Sequence, residues 1–600
     1  MWLFPHMTKV TCLHSHNCMK YKLIGNNDIS NIKQTILKNR GIKDIDKYLN
    51  LNDSVLYNYE LLQNINKSVE LLKDCIEKNK YIYILIDADC DGYISGSIIY
   101  HYIKTQLEYN NMEYFLHTEK QHGLSSEIMN ILKDKKQGLI IIPDAGTNDT
   151  EQCKILSECG FEILILDHHL KENDNPYAVI VNNQICDYPN KNLCGAGVAY
   201  KFLQALDDNY WLDGADEYLD LVALANIADV MDLRECETKY LVDKGLSNIK
   251  HPLFIALLNK QSYSVNNTEK PTIIDVSFYI APLINAMIRI GEQEEKELMF
   301  KAFIMEYDEF KYTPRKSKNN PNPETIMESI YDRVARLCCN TKSRQSKMQD
   351  KAVQEVDNIY SEENKNNSIC FINVSKIESV TKELTGLVAM KIASKYDKPC
   401  LVIRKDNVKS NDNNIIFSGS ARNVNDGFIE DLKAELEESG LFEELVGHAN
   451  AFGVSIKREN IPLAIEYFNK KYSDIDKSKV YAVDFIFEEN IDYQIIKDIH
   501  SIQHLFSGFL KEPLVVIKNV DVDLLGFEEF GDGKKHWKFQ NELIEYIKFN
   551  VPEDDEMLNI NSFEYGNVVI DVVGKTNINT YGGKTIPQII VEDYTVVEKY

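Results

Sequence analysis

Tyr81-Ile82-Tyr83-Ile84-Leu85-Ile86-Asp87-Ala88-Asp89-Cys90-Asp91-Gly92 carries six apolar residues without alternation and then three aspartates. An unbroken β-rich run of this kind reads as a strand buried on both faces, as in a parallel sheet. Asp91-Gly92 reads as a turn, and Tyr93 to Leu107 as the following helix. In open α/β sheets chemistry sits beyond the carboxyl ends of the strands, which is where Asp87 and Asp89 fall. Two carboxylates this close repel unless a proton or cation lies between them, and a divalent metal is the simplest remedy.

The pattern continues outward. Glu113–Phe115 is a short second strand, and Leu139–Ile142 a third ending at Pro143-Asp144. Phe161–Leu166 is a fourth ending at Asp167-His168-His169, and Ala178–Val181 a fifth ending at Asn182-Asn183. Strands alternating with helices imply βαβ units. Gly195-Ala196-Gly197 opens a helix over Val198–Leu206, and the apolar helix Leu219–Ile227 delivers Asp229.

Several acids therefore collect at strand or helix ends: Asp87 and Asp89, Asp144, Asp167 with His168 and His169, and Asp229. Singly, each has a bland reading: an aspartate after a strand is usually a helix N-cap, and a His pair a polar turn. Recurrence at equivalent ends of one sheet favours a metal cluster. Carboxylates with one or two imidazoles suit Mn²⁺, Mg²⁺ or Zn²⁺ rather than copper or iron–sulfur. Two ions about 3.5–4 Å apart, sharing a carboxylate, would clamp a phosphate.

Beyond this core, 600 residues exceed a single domain, so three or four are expected. Hydrophobic and charged contents of 44% and 26% are those of a soluble globular chain. No apolar run reads as a membrane span, and no secretory signal is evident at the start. Thirteen cysteines without a dense framework predict reduced thiols and a cytoplasmic location. The net charge of 67 − 92 = −25 argues against non-specific coating of nucleic acid but leaves room for a local basic groove. Lys311 to Lys351, rich in Lys, Arg, Asn and Pro, is the candidate basic surface, set against a solvated helical face. Residues 1–18 read as an unstructured tail, because the spacing of Cys12, His14, His16 and Cys18 is not that of structural zinc sites. Met19 is an alternative start.

The expected organisation is a tail (1–18), an N-terminal helical region (19–80), a parallel-sheet domain (81–300), a helical connector (301–368), a smaller α/β domain (369–460) and a strand-rich domain (475–600). Short β segments in the last predict a small barrel.

Asp-x-Asp-x-Asp-Gly at 87–92, the strand-end Asp144, Asp167-His168-His169 and Asp229 together resemble the four motifs of the DHH phosphoesterase superfamily. Ala281-Pro282-Leu283-Ile284-Asn285-Ala286-Met287-Ile288-Arg289-Ile290-Gly291 resembles its RecJ branch, the single-strand-specific 5′→3′ exonucleases. Ser420-Ala421-Arg422 and Gly447-His448 resemble the substrate-binding motifs of the companion domain, DHHA1. Asn577 to Asp593, with Gly582-Gly583 and Gln588, resembles the RecJ oligonucleotide-binding (OB) barrel. The resemblance covers roughly residues 60 to 600.

It implies hydrolysis of single-stranded DNA from a 5′ end in repair and recombination, with two Mn²⁺ or Mg²⁺ ions. Asp87 and Asp144 would hold one ion. Asp89, Asp144, His168 and Asp229 would hold the other, with Asp144 bridging. His169 would contact the scissile phosphate and Asp167 orient its neighbours. Asn285, Arg289, Ser420, Arg422, Gly447 and His448 would contact substrate, Arg289, Ser420 and Arg422 by gripping phosphates; the bland reading of Arg289 is an interdomain ion pair. The implied protein is a monomer whose partners are single-stranded DNA and, in some settings, a single-strand-binding protein or helicase, with no membrane. Departures are also legible. Leu85 stands where some relatives place a metal-binding His, so the first metal position is expected to be oxygen-rich and to hold Mg²⁺ weakly. Gln121-His122-Gly123 replaces a Gly-Tyr-Gly turn, so one phosphate contact is either lost or made by His117 or Lys120. Val446 replaces the first Gly of a Gly-Gly-His. Two rivals remain: a DHH hydrolase of short oligonucleotides or cyclic dinucleotides, and a non-catalytic replication scaffold.

Overall fold

The run Tyr81–Ile86 forms strand β1, buried from Ile82 onward. A computed structural model describes residues 19–600 except 119–120, 266, 317–320, 361–363, 365, 411–413, 425–426, 478, 507, 532, 534, 553–554, 561–564 and 582–583. The Cys12, His14, His16 and Cys18 tail, Lys120 and Gly582-Gly583 lie outside the described residues. The chain divides into two compact units. One comprises Asp46–Ser346 and His504–Lys511; the other comprises the chain up to Ile45, Lys347–Gln503 and Glu512–Tyr600.

In the first unit β1 is followed by helix α1 (Cys90–Thr105), strands β2 (Met112–Leu116), β3 (Gly138–Pro143), β4 (Glu162–Asp167) and β5 (Val179–Asn182), and helices α2 (Gly195–Tyr210) and α3 (Leu219–Ala228). The strands form one sheet in the order β2-β1-β3-β4-β5, parallel throughout. Successive side chains of a strand point to opposite faces, and both faces here are covered. Ile82, Ile84 and Ile86 pack with Leu139, Ile141, Leu164 and the apolar faces of α1 and α2. Tyr83 and Leu85 enter a second cluster with Ile140, Ile142, Ile163 and Ile165. That two-sided burial is why these strands do not alternate. The order reverses between β1 and β3, making their carboxyl ends a topological switch point, the crevice where open α/β sheets bind ligands.

Asp91-Gly92 is not a turn. α1 begins at Cys90, with Asp89 as its N-cap, and the Asp89 carboxylate accepts from Gly92 N at 2.9 Å. Helix entry this close to β1 requires Gly92, because a Cβ there would lie 2.5 Å from Asp87 Cβ and 2.7 Å from Asp87 O.

The segment Ile273–Ile290, ending in helix α4 (Ala281–Ile290), is long and apolar enough by composition to cross a membrane, contrary to the expectation that no run would be. Half of it is buried within the unit, where Val276, Ile280, Ile284 and Met287 join the main core. The 301–368 stretch is not uniformly helical, since Glu309–Tyr312 and Ile326–Ser329 form an antiparallel hairpin before the helix Ile330–Ile359. Cations of the expected basic surface are partly spoken for. Arg336 is held by Glu328 at 2.6 Å and lies over Tyr312, and Arg344 donates to Ile290 O at 2.9 Å.

The second unit holds two sheets of note. Phe442–His448, Ala451–Lys457, Ile416–Arg422, Cys400–Lys405 and Cys370–Asn373 lie side by side in that order. Ser420 and Arg422 thus lie within the strand Ile416–Arg422. Seven further strands follow the order Phe485–Phe487, Val515–Asp523, Asn567–Tyr581, Lys584–Lys599, Ile544–Lys548, His536–Asn541 and Glu528–Phe530. The two edge strands do not pair with each other among the described residues, so the expected barrel is not closed. Each edge strand has only three residues, offering few backbone groups to complete a ring. Trp537, Phe539 and Tyr546 stack inside this sheet as core, not as exposed platforms.

The expectation of a helical region over 19–80 also fails at its start. Lys20–Leu23 is a strand paired in parallel with Val480–Val483. Nearby, Arg40 meets Asp484 in a buried fork, Nη1 to Oδ1 at 2.7 Å and Nη2 to Oδ2 at 2.9 Å. Removing one partner of such a pair leaves a buried, uncompensated charge. Arg40→Ala is expected to destabilise this unit by about 3–5 kcal/mol, seen as a lower urea midpoint by circular dichroism, and Arg40→Lys should recover only part because it lacks the planar fork.

Candidate metal centre

Six acids and three imidazoles converge beyond the carboxyl ends of β1, β3 and β4. Asp87 follows β1 and Asp89 caps α1. Asp144 follows β3 in the left-handed region, at φ +63°, which aspartate tolerates better than most residues. Its amide donates to Leu166 O at 2.8 Å, tying the strained turn to β4. Asp167 closes β4, His168 and His169 follow, and Asp229 is the C-cap of α3.

One ligand atom each of Asp144, His168 and His169 lies within 4.8 Å of the others; the same holds for Asp91, His168 and Asp229, and for Asp87, Asp89 and His122. His168 Nε2 sits 3.2 Å from Asp144 Oδ1, 3.6 Å from Asp229 Oδ2 and 3.9 Å from Asp91 Oδ2. Yet Asp144 Oδ1 and Asp229 Oδ2 are buried and accept no hydrogen bond. Orphaned buried oxygens are costly and therefore rare in native structures. A contact of 3.2 Å without hydrogen-bond geometry suits two donors facing one cation, since ligands about 2.1 Å from a metal and at right angles are about 3 Å apart. The donor set fits divalent metal ions.

Electrostatics agree. Burial, then the charges of Asp91, Asp89, Asp87 and Asp229, push the Asp144 carboxyl well above the usual range. Burial, then Asp91 and Asp89, do the same to Asp229. Burial and Asp89 raise Asp91 to about 6, against hydrogen bonding from Ala196.

Asp167 differs from the other acids. Its Oδ1 accepts from His168 N at 2.7 Å, His169 N at 3.2 Å and His169 Nδ1 at 2.8 Å, and its Oδ2 from Thr147 N at 3.1 Å. Burial opposes its charge, but these bonds and the two imidazoles outweigh burial and hold the carboxyl low. Its Oδ1 is taken up by three donors and its Oδ2 by a backbone amide, so it positions the loop. His169, its ring half exposed, is raised to about 9: burial opposes the cation, and the Asp167 hydrogen bond and charge prevail.

Asn285 and Arg289 lie on α4 in the same unit, and Arg289 is near enough for the Asp89 charge to act on it. Burial lowers its guanidinium against that charge. Ser420, Arg422, Gly447 and His448 belong to the other unit. There Ser420 Oγ is 2.9 Å from Thr385 Oγ1, and a Cβ on Gly386 would stand 2.5 Å from Arg422 Nη2 and 3.4 Å from Ser420 Oγ. Gly386 therefore keeps a small cradle open at the start of helix Thr385–Tyr396. Strand register sets Arg422 opposite Ala451, and Ala451 opposite His448, in one row.

Three residues here are not among those the sequence points to. Asp91 is one: its carboxylate accepts from Gly195 N at 2.6 Å and Ala196 N at 2.8 Å, capping α2 and drawing Gly195 against Asp144. Its place in the same Asp-x-Asp-x-Asp run is the available signal. His122 and Gly386 are the others, and neither carries a local cue.

The chain belongs to the DHH family, whose N-terminal domain matches residues 81–226. Its relatives within that family are of the RecJ type. It is 38% identical over 586 residues to "Putative SPbeta prophage-derived single-strand DNA-specific exonuclease YorK" of Bacillus subtilis (strain 168), covering 96% of this chain and 98% of that protein. It is 25% identical over 592 residues to the single-stranded-DNA-specific exonuclease RecJ of the same organism, covering 95% of this chain and 68% of that protein. The crystal structure of RecJ in complex with Mn²⁺ from Thermus thermophilus shares the fold, with a TM-score of 0.68 at 18% identity, over 94% of this chain and 76% of that one.

The raised carboxyls carry a testable sign. A group whose folded pKa exceeds its unfolded value of about 3.9 gives stability that is full below that value and lost as pH rises through the folded pKa. Metal-free protein should therefore melt at a higher temperature near pH 5 than near pH 8, through Asp91, Asp144 and Asp229. Mn²⁺ should raise the melting temperature most at pH 8. Scanning calorimetry with and without chelator checks both.

Proposed function

We propose that this chain is a single-strand-specific DNA exonuclease that hydrolyses phosphodiesters from a 5′ end. The observation that carries the reading is the meeting of Asp87, Asp89, Asp144, His168 and Asp229 at the β1/β3 switch point, in a chain matched along nearly its whole length by a relative named for that activity. These five residues would hold Mn²⁺ or Mg²⁺ ions, with Asp144 shared. When bound, such ions neutralise charge developing on the phosphate and acidify water.

The chain's own groups do the rest. Asp167 holds His169 in one orientation, and the His169 ring, cationic at neutral pH, faces solvent where a phosphate oxygen can accept its proton or hydrogen bond. Arg289 on α4 pairs with a neighbouring phosphate, a task for which its planar fork suits it, and Asn285 one turn earlier contacts the same strand. In the second unit the sheet containing Ser420 and Arg422 acts as a DHHA1-type domain. The cradle of Thr385, Gly386, Ser420 and Arg422 combines a helix N-terminus with a guanidinium and binds an anionic group of the substrate, with Gly447 and His448 beside it. The seven-stranded sheet acts as an OB-like guide for the strand.

The test uses purified protein with long single strands labelled at either end, duplexes, RNA, short oligonucleotides and cyclic dinucleotides, each with Mn²⁺, Mg²⁺ or chelator. Release of mononucleotides from the 5′ end of single-stranded DNA only, stopped by chelator, is the expected result. Faster cleavage of dinucleotides would favour the short-substrate reading, and activity surviving chelation would sink both. Asp144→Asn and His168→Ala should each lower the rate by at least about 10²- to 10³-fold, a loss typical of removing a group that stabilises developing charge. Gly386→Val should raise KM for single strands while leaving metal binding intact.

A further inference from the structure

We infer that His122 is a metal ligand, giving the Asp87/Asp89 position a nitrogen donor and a preference for Mn²⁺ over Mg²⁺. This rests on the reading that the cluster holds divalent ions.

The three donors come from three places in the chain. Asp87 follows β1, Asp89 caps α1, and His122 lies in the loop after β2, yet one ligand atom from each falls within 4.8 Å of the others. His122 Nδ1 is 2.5 Å from Asp87 Oδ2. The other Asp87 oxygen is already fixed, since Oδ1 accepts from Gly123 N at 2.9 Å, and Gly92 abuts its Cβ. Asp87 therefore needs no imidazole to orient it. The His122–Asp87 contact is a hydrogen bond that a cation would replace, with a ligand atom of Asp89 within 4.8 Å of both.

One neighbour independently marks this point as one suited to a ligand. His117, 3% exposed, lies close enough to Asp87 and His122 to feel their charges, and its buried Nε2 has no hydrogen-bond partner. An ion here would be bound by Asp87, Asp89 and His122, with Asp144 shared with the neighbouring ion as proposed above.

The donor set dictates the choice of ion. Mg²⁺ takes oxygen ligands and gives up water reluctantly, whereas imidazole suits transition metals. An oxygen-only position, as anticipated from Leu85, would hold Mg²⁺ weakly. A position with His122 holds Mn²⁺ in preference. The exposed ring edge of His122 also lets the ion enter from solvent.

The test is Mn²⁺ binding to the full chain stripped of metal, followed by electron paramagnetic resonance with pulsed detection of directly bound nitrogen. The wild type is expected to bind two Mn²⁺, each at a position with a coordinated imidazole, one through His168 and one through His122. His122→Ala should lose nitrogen coupling at one position and weaken that Mn²⁺ by about tenfold or more, while Mg²⁺ affinity measured by calorimetry changes less. His122→Asn, whose amide can still donate to Asp87, should show the same loss, which separates ligation from orientation. Unchanged Mn²⁺ affinity and nitrogen coupling in both variants would overturn the inference while leaving the metal centre standing. Should neither variant fold, the wild-type spectrum decides: nitrogen at both positions supports the role of His122, nitrogen at one position overturns it. Absence of any Mn²⁺ binding would instead overturn the proposed function itself.

Discussion

Mutual repulsion among carboxylates governs this molecule. Asp87, Asp89, Asp91, Asp144 and Asp229 are brought together at the end of an apolar sheet, where water screens them poorly. The fold tolerates this because strong local constraints hold each acid. Asp89 caps a helix, Asp91 binds two amides of another, Asp144 is pinned in a left-handed turn, and Asp87 is wedged against Gly92. Such a cluster is stable only with protons or cations in it, and the unsatisfied oxygens of Asp144 and Asp229 show where partners belong.

The surrounding architecture serves that cluster. A parallel sheet covered on both faces gives a rigid floor, and its strand order opens a crevice between β1 and β3 without further design. Asp167 illustrates how the chain separates roles among similar residues. Buried like Asp144, it spends its oxygens on backbone amides and His169 and so organises the loop. Environment, more than residue type, decides which aspartate keeps unpartnered oxygens.

Much of this was legible in the sequence, for identifiable reasons. Continuous apolar runs ending in acids revealed the strands, because two-sided burial abolishes alternation, and each strand-end acid fell where parallel sheets place their chemistry. What escaped notice depended on contacts between distant segments. Asp91-Gly92 has the composition of a turn, and only the cap by Asp89 makes it the start of α1. His122 is a lone polar residue in a loop until the fold brings it to Asp87, 35 positions away. Lys20–Leu23 is too short to read as a strand, and its partner lies 460 positions along the chain. The terminal strands were recognisable singly, but their register and the three-residue edges that leave the sheet open were not.

That parallel pairing of Lys20–Leu23 with Val480–Val483 has a bearing on biosynthesis. Segments of one unit, up to Ile45 and from Lys347 on, flank the sequence of the other, Asp46–Ser346. On the ribosome, residues up to Ile45 emerge first but must wait for a partner more than four hundred residues downstream. At about 5–20 residues per second that delay is roughly 20–90 s. The unit Asp46–Ser346 can thus assemble during synthesis ahead of the other, and Lys20–Leu23 remains an unpaired segment, open to chaperones, until Val480–Val483 has emerged.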